Sequence, residues 1–119
     1  DHSDGLESFF EKNNHCKFYF RDVALENCYV RKWIFNKYIG IQKGITEKYV
    51  DRIKYVKGDY EVITGVTLIP HKTDGLEKIG KKSGMYIRKK HKWYPDSFAH
   101  EQSLVFDTEK GLVNRKACI

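Results

Sequence analysis

A chain of 119 residues with a net charge of +6 is long enough for one domain and too short for two ordinary ones. Its three cysteines, Cys16, Cys28 and Cys118, are odd in number and form no C-x-x-C pair, which argues against a disulfide framework and a thiolate zinc knuckle and for a reducing cytoplasm. No apolar run approaches the roughly 20 residues of a membrane-spanning helix and no basic-then-apolar leader is present, so a membrane is not an expected partner.

The opening residues, Asp1-His2-Ser3-Asp4-Gly5-Leu6, put a carboxylate and an imidazole side by side ahead of an amphipathic helix. Asp4 and Glu7 have the spacing of a capping box, and Leu6, Phe9 and Phe10 share one helical face until Asn13 and Asn14 end the run. Residues 16–20 read as a short aromatic strand. Asp22 then reads as the N-cap of a second helix over 23–32, with Leu25, Cys28 and Tyr29 as its apolar stripe. On that reading Cys28 is a core residue, a buried neutral thiol packing as a small hydrophobe.

Residues 33–45 mix aromatics with glycines and take no assignment. A brief helix follows, with Thr46 as cap and Ile45 placed to staple onto Val50. The period then changes to two. Residues 52–56, 60–63 and 66–69 read as three consecutive strands of an antiparallel meander, closed by Pro70, which cannot donate to a ladder. Residues 71–92 are polar and glycine-punctuated and read as a long loop over a cleft, with a strand only at 85–87. Trp93-Tyr94-Pro95-Asp96-Ser97-Phe98 reads as an aromatic turn, 102–107 as a strand, 108–111 as a hairpin turn and 112–113 as the start of its return strand.

The opening hexapeptide resembles the second half of the His-x-His-x-Asp-His-x-x-Gly-Leu signature of the metallo-β-lactamase fold hydrolases. Ser97-Phe98-Ala99-His100-Glu101-Gln102-Ser103-Leu104-Val105, followed by Glu109-Lys110-Gly111-Leu112-Val113, resembles a segment of the branch that includes the dihydropterin-linked ribofuranosylaminobenzene phosphate synthases. In that branch a Gly-Cys-Ser-His segment comes next, and here Asn114-Arg115-Lys116-Ala117-Cys118-Ile119 departs from it. The resemblance implies an α/β fold, a partial αββα sandwich of mixed sheet and helices. At about half the length that architecture needs, the chain is expected to be an incomplete domain with both ends missing.

The resemblance also implies a chemistry. Asp1 and His2 become metal ligands and catalytic residues of a hydrolase that uses metal-activated water on a small-molecule substrate. A carboxylate with a neutral imidazole suits zinc first, and iron or manganese as well. Two ligands do not make a site, because a catalytic zinc keeps three protein ligands plus water. Metal binding through this pair is therefore expected to be weak or absent in the chain alone, and turnover with it.

His71 and His100 are histidines able to reach a cleft, and Glu101 lies where the branch carries an acidic residue, so these three are the expected substrate contacts. His15 and His91 carry no comparable reason. A different reading takes the basic run Arg88-Lys89-Lys90-His91-Lys92 with Trp93 and Tyr94 as a nucleic-acid-binding module, although a spread of lysines is more often a solvated surface. A third takes the chain as a non-catalytic remnant. An unpaired strand at Leu112-Val113 would make it prone to self-association.

Overall fold

The computed structural model describes residues 5–42 and 44–117, with side chains described as far as residue 115. Among the described residues, ten strands and three short helices make a mixed α/β fold that is mostly strand. In chain order they are α1 (Leu6–Lys12), β1 (Phe18–Arg21), β2 (Asn27–Lys32), β3 (Phe35–Tyr38), α2 (Ile45–Lys48), β4 (Ile53–Val56), β5 (Tyr60–Ile63), β6 (Val66–Pro70), α3 (Leu76–Ser83), β7 (Met85–Lys89), β8 (Lys92–Pro95), β9 (Gln102–Thr108) and β10 (Gly111–Ala117). Two antiparallel sheets of four strands, ordered β10-β9-β6-β5 and β3-β2-β7-β8, are accompanied by a separate parallel pair, β1 with β4.

The aromatic core forms where the expected first helix and first strand meet. Phe10 is fully buried and stacks on Tyr49 with centroids 4.5 Å apart, while Phe18 lies 3.9 Å from it. Phe20, Ala24, Ile41 and Ile45 complete the cluster. Of the face expected for α1, Leu6 packs against this cluster, whereas Phe9 stays 51% exposed and meets Phe18 edge-on. The N-cap of α1 is Gly5, and Glu7 pairs with Lys48 at 3.1 Å; Asp4 lies outside the described residues.

Five expectations are corrected. Residues 23–32 are not a helix: Asp22–Leu25 forms a single 3-10 turn, and β2 takes over from Asn27. A helix across this stretch would leave Tyr29 and Val30 without the ladders they form against β3 and β7. The brief helix at 45–48 is present, but Gly44 is its N-cap in the left-handed region (φ 93°), which places Thr46 inside it and leaves Val50 62% exposed. The meander loses its first strand, because β4 pairs in parallel with β1 while β5, β6, β9 and β10 run antiparallel. The expected loop at 71–92 contains α3 and the β7–β8 hairpin, and the expected aromatic turn at 93–98 is strand β8 as far as Pro95.

Two buried polar side chains tie the small parallel pair to its neighbours. Arg21 Nη1 donates to the Gly58 carbonyl in the turn after β4, and Gln102 Nε2 at the start of β9 donates to the Tyr19 carbonyl at 3.0 Å. Among the described residues no helix is long and apolar enough to cross a membrane.

Candidate functional site

The register of β6 against β9 sets Pro70 opposite Gln102 and Ile69 opposite Ser103. His71, one residue past β6, is thereby brought beside Glu101, one residue ahead of β9. His71 Nδ1 stands 3.4 Å from Glu101 Oε2, and its Nε2 stands 3.0 Å from Ser103 Oγ. A carboxylate at Nδ1 favours the tautomer with its proton there, which leaves Nε2 to accept from the serine hydroxyl. The three side chains line an open cleft of about 510 Å³, walled also by Leu76 and Ile79 of α3 and by Phe98. A hydroxyl, an imidazole and a carboxylate in series can take up or deliver a proton at a bound polar group.

His100, expected beside them, is not part of that lining. It belongs instead to a second, deeper cluster. Cys28 of β2, Asp96 just past β8 and His100 each present one ligand-type atom, and these atoms all lie within 4.8 Å of one another. Asp96 is 1% exposed and Cys28 7% exposed. The Asp96 backbone N–H is held by the Met85 carbonyl at 2.9 Å, and its Oδ1 accepts from the Phe98 N–H at 2.8 Å. His100 Nδ1 is 3.9 Å from the same Oδ1, beyond hydrogen-bonding reach, and is buried with no hydrogen-bond partner. Burial, then the charges of Asp96 and Glu26, push the Cys28 thiol up to about 12, so on its own it stays neutral.

Asp1 and His2 lie outside the described residues. Trp93 is a sheet residue whose indole lies under two guanidiniums, Arg31 at 4.2 Å and Arg88 at 4.6 Å, and it meets Tyr29 edge-on. Lys90 and His91 form the turn of the β7–β8 hairpin.

Sequence reasoning missed Ser103, Asp96 and the place of Cys28 beside Asp96 and His100. Ser103 carries no signal beyond its place two residues after Glu101, and becomes meaningful only once β6 and β9 are in register. Cys28 was legible as buried and not as a member of a cluster, because Asp96 and His100 reach it across the sheet. The D-x-x-x-H spacing of that pair indicates one face only on a helix, and here Asp96 lies in an irregular segment and His100 in the turn that follows it.

No protein-family model matches the sequence, and no curated protein matches it. Among solved structures, this fold is similar to the crystal structure of Tm1679, a metal-dependent hydrolase of the beta-lactamase superfamily, with a TM-score of 0.64 and 23% sequence identity. The similarity covers 87% of this chain and 38% of that one. The two share a fold over that portion.

Proposed function

We propose that this chain is an incomplete metallo-β-lactamase-fold domain from a metal-dependent hydrolase, one part of its αββα sandwich. The observation that carries the reading is the superposition on a part of Tm1679. The Asp1-His2-Ser3-Asp4-Gly5-Leu6 signature supports it independently of the coordinates. In this reading Asp1 and His2 hold a divalent metal, zinc by the chemistry of a carboxylate–imidazole donor pair, together with ligands from the rest of the domain. The bound ion supplies Lewis acidity toward an ester, phosphoester or amide bond of a small-molecule substrate.

The residues of this chain supply binding and proton handling. His71 and Glu101 form a proton-bearing pair at the cleft, where Ser103 fixes the imidazole and Leu76, Ile79 and Phe98 take an apolar portion of the substrate. Lys72 on the same lining favours an anionic one.

A nucleic-acid-binding module is the weaker reading. Base stacking needs an indole face free of other partners, and Arg31 and Arg88 already lie over Trp93. Of the basic run that suggested it, Lys90 and His91 form a hairpin turn, while Arg88, Lys89 and Lys92 belong to its two strands.

The test is to express the chain together with the coding sequence on either side of it. A chromogenic phosphodiester or ester should be hydrolysed by the longer protein, with the rate lost on chelation, restored by zinc, and lost in Asp1→Ala and His2→Ala. The 119-residue chain alone should give no measurable rate under the same conditions. A longer protein whose hydrolysis ignores chelation, or an isolated chain whose own activity vanishes with Asp1→Ala, would overturn the proposal.

A further inference from the structure

Three donors of three kinds converge inside the fold with their chemistry unfinished. The Asp96 carboxylate is buried almost completely, and the nearest nitrogen capable of carrying charge, His100 Nδ1, stops 3.9 Å short of it. That nitrogen has no hydrogen-bond partner although it is out of reach of solvent. The Cys28 sulfur completes the group, all ligand atoms lying within 4.8 Å of one another. Buried carboxylates are ordinarily paired or coordinate a cation, and a buried orphan nitrogen calls for a partner. One ion at the centre satisfies all three groups.

The backbone around the cluster is fixed from several sides, as a preformed site requires. Cys28 pairs with Ile87 of β7, and its carbonyl accepts from the Ile39 N–H at 2.9 Å. Asp96 is pinned by the Met85 carbonyl and packed so closely on α3 that a Cβ at Gly80 would fall 2.2 Å from its carbonyl oxygen. The side chains have less distance to cover than their rotamers allow. A tetrahedral zinc, with about 2.3 Å to sulfur and about 2.0–2.1 Å to nitrogen or oxygen, sets its donors roughly 3.3–3.6 Å apart, so a contraction of roughly one ångström completes the geometry.

We propose that Cys28, Asp96 and His100 bind a zinc ion that clamps β2 to the segment leading from β8 into β9. The donor set selects the metal: a sulfur ligand disfavours magnesium and calcium, while mixed sulfur, nitrogen and oxygen suit zinc. As the S–Zn bond forms, the Cys28 thiol gives its proton to solvent, leaving a thiolate ligand. The fourth position, on the partly exposed His100 side (17% exposed), takes water. Cys28 lies in the β3-β2-β7-β8 sheet and the Asp96–His100 segment feeds the other large sheet, so the ion links the two. The site does not depend on the hydrolase reading, since Asp1 and His2 take no part in it.

The experiment loads the reduced 119-residue chain with cobalt(II) as a spectroscopic probe, and with zinc. One equivalent of cobalt should produce a thiolate-to-cobalt charge-transfer band in the near ultraviolet, and zinc should displace it and raise the thermal midpoint. Cys28→Ser should abolish the band, and His100→Gln, at the partly exposed rim where folding is least at risk, should raise the dissociation constant at least about 100-fold. Cys16→Ser, which removes an exposed thiol, and the Asp1→Ala/His2→Ala pair should leave band and affinity unchanged. Absence of a one-to-one cobalt complex, or a band that survives Cys28→Ser or disappears in Cys16→Ser, would overturn the proposal.

Discussion

Arg52 shows what a single residue does for the core that no local pattern announces. Its guanidinium donates from Nε to the Cys16 carbonyl at 3.1 Å, from Nη1 to the Phe10 carbonyl at 2.8 Å, and from Nη2 to the Asn13 carbonyl. Two of these acceptors belong to the end of α1 and its C-cap, and the third to the turn after it, where helix termini leave carbonyls without partners and favour positive charge. The same group lies 5.1 Å from the Phe10 centroid, 5.5 Å from Phe18 and 5.6 Å from Tyr49. A lysine keeps the charge but cannot fork to three carbonyls at once. Arg52→Lys is therefore expected to cost about 1–3 kcal/mol, read as a lower midpoint in urea; an unchanged midpoint would show that charge alone suffices. In the sequence Arg52 reads only as the first residue of a strand. Its three carbonyl acceptors lie in the segment from Phe10 to Cys16, far away along the chain, so nothing in its neighbourhood could reveal that capping role.

Elements were legible where the local signal and the tertiary demand agree. The first helix, β5, β6, and the β9–β10 hairpin follow their patterns, and the hairpin closes on Gly111 at φ 110°. The β7–β8 hairpin was hidden by its own turn. Lys90 (φ 48°) and His91 (φ 67°) both adopt the left-handed region, the type I′ geometry that Asn-Gly usually signals. A run of basic residues there reads as a patch. Helix α3 was hidden by Gly80, which looks like a breaker in a polar stretch but serves a close approach, a Cβ there meeting Asp96 O at 2.2 Å and Asp96 N at 2.8 Å. Two effects then compete in Gly80→Ala. Helix propensity favours alanine by about 0.8–1.0 kcal/mol, whereas forcing a methyl against backbone costs typically about 1–3 kcal/mol. Because the obstructing atoms are main chain and cannot rotate away, the clash should prevail. The variant is expected to be less stable in a denaturant titration, and a stabilised Gly80→Ala would mean that α3 can slide off the Asp96 segment at little cost.

At the scale of the whole molecule, pairing between distant strands decided what the sequence could not. The parallel match of β1 with β4 and the return of β9 against β6 create both the core and the His71–Glu101 contact, and periodicity specifies neither partner. The same sheet order leaves β10 at an edge, with Leu112 74% and Val113 45% exposed along a seven-residue strand. On the reading proposed above, the rest of the domain covers such an edge in the parent protein. In the isolated chain two forces oppose each other there. Unpaired backbone groups beside exposed apolar side chains form a template for a second copy, while a net charge of +6 and Arg115 on the strand repel one. Repulsion reaches only about 8 Å at physiological ionic strength and about 3 Å in 1 M salt, whereas strand pairing acts at contact. Association should therefore rise with both protein and salt concentration in sedimentation velocity. Leu112→Lys, which removes apolar surface from a position already mostly in water, should suppress it without lowering the thermal midpoint by more than a degree or so. A single monomer boundary for the unsubstituted chain across a wide concentration range in high salt would show that the edge is already protected, and with it that β10 needs no further strand beside it.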